Sequence, residues 1–148
     1  MSADALYDVA AIGNAIVDVI ARAEDDFLVS HGLNKGGMAL IDEAASARLY
    51  GAMGSATIMS GGSAANTMAG VASLGGKAAF IGKVRNDDAG DAFRHDIHGA
   101  GVHFPTPSAE SGASTARCLI LVTPDGERTM STYLGACVAL GPEDVEAT

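Results

Sequence analysis

The sequence predicts an α/β fold, a mostly parallel central sheet with helices on its faces. Three observations lead there. Apolar runs at residues 7–12, 56–59 and 77–84 alternate with helix-patterned stretches through the first hundred residues, the order expected of parallel strands joined by crossover helices. Glycine pairs, Gly61-Gly62 and Gly75-Gly76, stand where strand gives way to helix and helix to strand. After Phe104-Pro105 the pattern changes to two β-rich runs around Pro124-Asp125-Gly126, which reads as a hairpin turn.

Taken in order, residues 7–12 form a buried strand that opens at Gly13-Asn14. In open α/β sheets ligands gather at that C-terminal end. Residues 15–20 are β-branched and strand-like. Residues 24–31 read as a short helix stopped by Gly32, Lys35-Gly36-Gly37 as a turn and residues 38–41 as a strand. Asp42 is placed to cap a helix reaching about Met53. The run 56–59 precedes a helix at 67–74, with Ala64, Met68, Val71 and Leu74 near one face. Gly75-Gly76 ends it. Asn86-Asp87-Asp88 puts a cap and two acids at the next helix start, whose buried stripe is Ala89, Phe93 and Ile97. Residues 115–123 and 128–134 are the hairpin strands, and Gly141-Pro142-Glu143-Asp144 begins a new helix. The runs near 16–22, 38–41 and 115–134 are more amphipathic than the rest and are expected to form a small separate sheet. An ending so soon after a helix start reads as an incomplete domain.

The 148 residues suffice for one domain with a sizeable core. A net charge of −9 argues against a nucleic-acid or anionic-membrane partner, both of which need clustered Lys and Arg. The two cysteines, Cys118 and Cys137, fit a reducing cytoplasm better than a disulfide scaffold. Neither cysteine lies at metal-ligand spacing from a second Cys or a His, so no metal site is expected. The N-terminal apolar run is broken by Asn14 and Asp18 and is too short to span a bilayer.

The stretch richest in chemistry is Ser60-Gly61-Gly62-Ser63-Ala64-Ala65-Asn66. Two glycines at a strand-to-helix junction let a ligand lie against bare backbone. The helix start adds unpaired N–H groups, and Asn66 offers a donor and an acceptor. Taken alone, the stretch is also what a tight turn with a cap would look like. Asn14 and Asp18, four apart, share one face whether the local structure is strand or helix. A carboxylate within an apolar run is costly unless it has a partner or faces a polar cavity. Residues 70–78 miss the phosphate-loop spacing by one residue and lack the hydroxyl after Lys77, and there is neither a G-x-G-x-x-G nor a nucleophile elbow.

The ordered set Gly13-Asn14-x-x-x-Asp18, Gly61-Gly62-Ser63-x-x-Asn66 and Phe80-Ile81-Gly82-Lys83-Val84, followed by Asp87 and Gly90, resembles the N-terminal half of the PfkB, or ribokinase-like, carbohydrate and nucleoside kinases. The resemblance runs from about Tyr7 to Asp144. Asp26-Phe27-Leu28, Thr115-Ala116-Arg117-Cys118, residues 125–130 and Leu134-Gly135-Ala136-Cys137 are most similar to the adenosine kinase branch. It implies a ribokinase-like fold whose separate sheet is a small β lid, and a cytoplasmic transferase that uses ATP and Mg²⁺. The favoured acceptor is adenosine. A fructokinase, ribokinase or keto-deoxy sugar kinase is the alternative, and a non-catalytic binding module is the reading from a different class. The resemblance implies that Asn14, Asp18, Gly61, Gly62 and Asn66 hold the sugar hydroxyls. Met38 and Leu40 match lid positions over an apolar base, or are plain core. Arg128 matches a lid arginine that approaches the phosphates, or is a solvated strand charge. The catalytic Asp and the ATP pocket of the family belong to a C-terminal half with no counterpart in this sequence, so the chain alone is expected to be inactive. The lid is compatible with a monomer or with a homodimer clasped through it.

Overall fold

A computed structural model describes residues 5–148. Its strands fall into two sheets. The first is wholly parallel, in the order β1 (Val9–Ile12), β5 (Ala78–Ile81), β6 (Val102–His103). The second has five strands, in the order β3 (Met38–Leu40), β8 (Arg128–Tyr133), β7 (Ala116–Val122), β2 (Ile16–Arg22), β4 (Ala56–Gly61). It is mixed: β2 runs parallel to β7 and antiparallel to β4, and β8 is antiparallel to β7. The helices are α1 (Asp25–Ser30), α2 (Glu43–Ala52), α3 (Ser63–Ser73), α4 (Asp88–Gly99) and α5 (Pro142–Glu146), with one 3-10 turn at Gly135–Ala139.

A second sheet exists with β2, β3, β7 and β8 in it, but it is not the small one expected: it has five strands against the three of the parallel sheet. A strand assignment is corrected as well. The run 56–59 was expected to join the parallel sheet, but as β4 it pairs antiparallel with β2. An apolar run of that length fits either sheet, and its partner lies about forty residues back, beyond the reach of local pattern. Other points differ from the sequence reading: β1, expected as a buried strand, leaves Val9 and Ile12 exposed. Leu74, expected on the buried face of its helix, is 90 % exposed just past the end of α3, while Ala65 and Met68 carry that helix's buried contacts. The two-residue β6 was not expected at all.

One hydrophobic cluster joins the two sheets. Phe80 of β5, Phe93 of α4 and Phe104 meet with ring centroids 5.3–6.1 Å apart, and Val17, Val19 and Leu119 of the second sheet join the same cluster. All three rings are essentially buried. Burial of a Phe side chain is worth roughly 1.5–3 kcal/mol, and α4, like α3, packs on strands of both sheets and ties them together. Its cap falls one residue later than the sequence reading placed it: Asp87, not Asn86, is the N-cap, its carboxylate accepting from the Gly90 amide at 2.8 Å. Asp42 likewise accepts from the Ala45 amide to start α2. Along β2 the burial alternates: Val17 and Val19 face this core and Ala21 a smaller cluster with Leu28 and Leu121, while Ile16, Asp18 and Ile20 are half-buried on the other side.

Candidate functional site

The open face of the five-stranded sheet carries most of the residues singled out in the sequence. In-register partners on neighbouring strands share a face. Asp18 of β2 pairs with Met59 of β4 and with Cys118 of β7; Cys118 pairs with Thr132 of β8, and Thr132 with Leu40 of β3. These five residues form one row. The next row holds Ile20, Ile120, Met130 and Met38, and the third Arg22, Val122 and Arg128. Arg128 is therefore four residues along its strand from the Asp18 row, about 13 Å at strand rise.

Met38 and Leu40 are not core residues: they are 60 % and 63 % exposed. With the half-buried Ile20 and Met130 they make an open apolar floor beside the one carboxylate of their rows. Arg128 is exposed at the far end of the same face.

The glycine junction lies at the near end. Ile16 pairs with Gly61, so Asp18 leans over Gly61. A Cβ at Gly61 would sit 2.3 Å from the Asp18 carboxyl. Gly62 adopts φ +94°, and a Cβ there would lie 2.4 Å from the Asn14 carbonyl oxygen. Only glycine tolerates both the conformation and the approach. Ser63 then opens α3, and the Asn66 amide donates to the Gly62 carbonyl at 2.9 Å. Asn14 and Asn66 are both exposed. The backbone of Asn14 and the Asp18 side chain thus converge on Gly61-Gly62, one turn of helix before Asn66.

The electrostatics of Asp18 are unusual. Burial raises its carboxyl above the ordinary Asp value, and no ion pair or hydrogen bond among the described residues offsets that rise. Beside it the Cys118 thiol is also pushed up, first by burial and then by the charge of Asp18, against the pull of the Thr132 hydroxyl, which donates to its Sγ at 3.3 Å. A partly desolvated carboxylate without a partner is a ready acceptor for ligand hydroxyls. Cys118 and Thr132 were not singled out for the site in the sequence. No local signal marks either residue: Cys118 sits in an apolar strand, and Thr132 in one that is largely polar throughout.

Two more contacts support the site from behind. Asp87 and Thr115 bond side chain to side chain where β7 begins. Asp96 of α4 takes both the amide and the hydroxyl hydrogens of Ser60, just before Gly61. Among the described residues no group of three or more His, Cys, Asp or Glu is arranged to hold a metal ion, and no helix is long and apolar enough to cross a membrane.

The sequence model of the pfkB family carbohydrate kinases matches residues 7–147, and the chain belongs to that family. It is 38% identical over 104 residues to an ATP-dependent ribose-1-phosphate kinase of Halopiger xanaduensis, a match that covers 67% of this chain and 35% of the relative. Among solved structures, the adenosine kinase from Sinorhizobium meliloti superposes with a TM-score of 0.88 at 58% identity over 95% of this chain. A probable sugar kinase protein from Rhizobium etli CFN 42 gives the same TM-score at 55% identity. In both cases the chain spans 43% of the solved protein's length.

Proposed function

We propose that this chain is the acceptor-binding half of an ATP-dependent phosphotransferase, with adenosine its favoured acceptor. The observation that carries the reading is the unpartnered Asp18 carboxylate held over the bare backbone of Gly61-Gly62. Two neighbouring ribose hydroxyls can both donate to one carboxylate, and hydrogen bonds to a charged group are worth roughly 1.5–3 kcal/mol each. Asn14 and Asn66 add amide donors and acceptors at the edges of the same spot, and Gly61-Gly62 lets the sugar ring rest on backbone. The exposed Met38 and Leu40 offer an apolar surface for a flat base. The five-stranded sheet that carries them acts as a lid, and Arg128 at its far end is a phosphate contact when that lid shuts. The likeness to an adenosine kinase at 58% identity supports the acceptor class.

The described residues do not fit ATP or its Mg²⁺: they include neither a metal-ligand cluster nor a phosphate loop. In this reading the nucleotide, the metal and the base that deprotonates the hydroxyl are held by the part of the relatives' length that the chain does not span. What the chain itself does is bind the acceptor, orient the hydroxyl that reacts and exclude water from it.

A titration of the isotopically labelled chain with adenosine, ribose and fructose tests the reading. Adenosine is expected to shift the amides of Asn14, Asp18, Gly61, Gly62 and Asn66 at lower concentration than either sugar. Preference for free fructose or ribose moves the assignment to a sugar kinase, the reading that the Rhizobium etli structure favours. No response to any of the three defeats it. Incubation of the chain with ATP, Mg²⁺ and adenosine is expected to give no phosphorylated product.

A further inference from the structure

We propose that Asp96 is a positioning residue for the acceptor site, acting through Ser60 on the glycine junction; its link to the acceptor rests on the reading above. Asp96 lies on the third turn of α4, far from Asp18 in sequence and without contact to the open face. One of its carboxylate oxygens, Oδ2, accepts from both the Ser60 amide and the Ser60 hydroxyl, each at 2.7 Å. Ser60 belongs to β4, the edge strand of the five-stranded sheet, whose outward N–H groups have no strand to pair with. Charge-assisted bonds at such short distances are the stronger kind.

The position of Ser60 gives this grip a consequence for the site. The next residue, Gly61, pairs with Ile16 and lies directly under the Asp18 carboxyl. The one after it, Gly62, takes a left-handed conformation against the Asn14 carbonyl. A shift of β4 by a few tenths of an ångström therefore moves bare backbone relative to the Asp18 carboxyl and the Asn14 carbonyl. The other supports of this corner are the β2–β4 ladder, the start of α3 and the packing of α4 against β4. Among the described residues, Asp96 alone holds the Ser60 amide and hydroxyl by hydrogen bonds. Asp96 supplies that hold from α4, the helix whose Phe93 and Ile97 are anchored in the shared core. The carboxylate thus transfers the rigidity of the core to the one corner where side chains cannot supply it.

The experiment compares Asp96→Ala, Asp96→Asn and Ser60→Ala in the 148-residue chain. It reads adenosine affinity by titration, fast motion at the Gly61 and Gly62 amides by ¹⁵N relaxation, and the melting temperature. Both side chains lie at the surface, so folding is expected to survive. Asp96→Ala is expected to weaken adenosine binding about fivefold to tenfold and to raise glycine mobility, with little change in melting. Asp96→Asn keeps an accepting oxygen and is expected to restore most of both. Ser60→Ala keeps the amide bond and is expected to cost about twofold. Unchanged glycine mobility in Asp96→Ala overturns the proposal, leaving Asp96 a mere cap on an edge strand. A collapse of melting in step with binding overturns it too, since Asp96 would then hold the fold and not the corner. A wild-type chain that ignores adenosine defeats the acceptor reading alone, because the relaxation comparison still decides whether Asp96 stiffens the junction.

Discussion

The Thr115 hydroxyl donates to one oxygen of the Asp87 carboxylate at 2.6 Å, and the Thr115 amide donates to the other at 3.0 Å. The same hydroxyl accepts from the Arg85 amide at 2.9 Å, and Asp87 also caps α4 through the Gly90 amide. Thr115 is fully buried. One carboxylate therefore fixes both the start of α4 and the entry of β7.

Thr115→Val keeps the shape and removes the hydroxyl. It leaves a buried amide without its acceptor, which costs about 1–3 kcal/mol. Urea unfolding at pH 7 is expected to show that loss, and Thr115→Ser to recover most of it.

The pH dependence of Asp87 has a definite sign. Burial alone would raise its carboxyl, but the bonds from Thr115 and Gly90 and the charge of Arg117 prevail and hold it below the ordinary Asp value. A folded value below the unfolded one means stability that is present above about pH 4, the unfolded value, and lost as pH falls through the folded one. Asp87→Asn is expected to be less stable than the parent at pH 7. The gap is expected to narrow by pH 3, as measured by melting at the two pH values.

Asp18 has the opposite sign. Burial raises it, so its charged form opposes folding at neutral pH. Asp18→Asn is expected to raise the melting temperature. Adenosine binding is expected to be lost at the same time. A variant that melts lower would make Asp18 a structural residue.

The two glycines of the junction are expected to fail differently. An Ala at Gly61 meets the movable tip of the Asp18 side chain, so Gly61→Ala displaces the carboxylate, weakens binding tenfold or more and leaves the fold intact. An Ala at Gly62 meets the Asn14 backbone at φ +94°, and neither can give. Gly62→Ala is expected to destabilise by about 1–3 kcal/mol. Calorimetry of the two proteins side by side checks the contrast.

Lys83, at the exit of β5, pairs with Asp144 at the start of α5, and both side chains are largely buried. The Lys83 bond, then the Gly141 amide, hold the Asp144 carboxyl below its ordinary value. Lys83→Met is expected to release α5, seen as faster hydrogen exchange at the Ala147 amide, which bonds to the Glu143 carbonyl.

Local pattern carried the helices well. Asp42 announced its cap, Asn86-Asp87-Asp88 the start of α4 to within a residue, and Ala89, Phe93 and Ile97 their buried stripe, because those signals lie within a few residues of each other. The glycine junction and the Asn14–Asp18 pair were legible for the same reason. Sheet membership was not. Whether 56–59 joins one sheet or the other depends on β2, and nothing within the run distinguishes the two. The supports behind the site were equally hidden: Ser60 meets Asp96 across 36 positions and Asp87 meets Thr115 across 28. The exposure of Met38 and Leu40 could not be read either, since an apolar strand pattern does not say which face stays uncovered.

The parallel pairing of β2 with β7 joins Ile16 to Ala116. During synthesis at about 5–20 residues per second, the early strand waits roughly 5–20 s for its partner to appear. Over that interval β4 is the only strand neighbour available to it, and its valines gain cover only once α4 has been made. Contacts so distant in sequence slow the search for the native state. Refolding of this chain is therefore expected to be governed by the late closure of one strand pair and not by its helices.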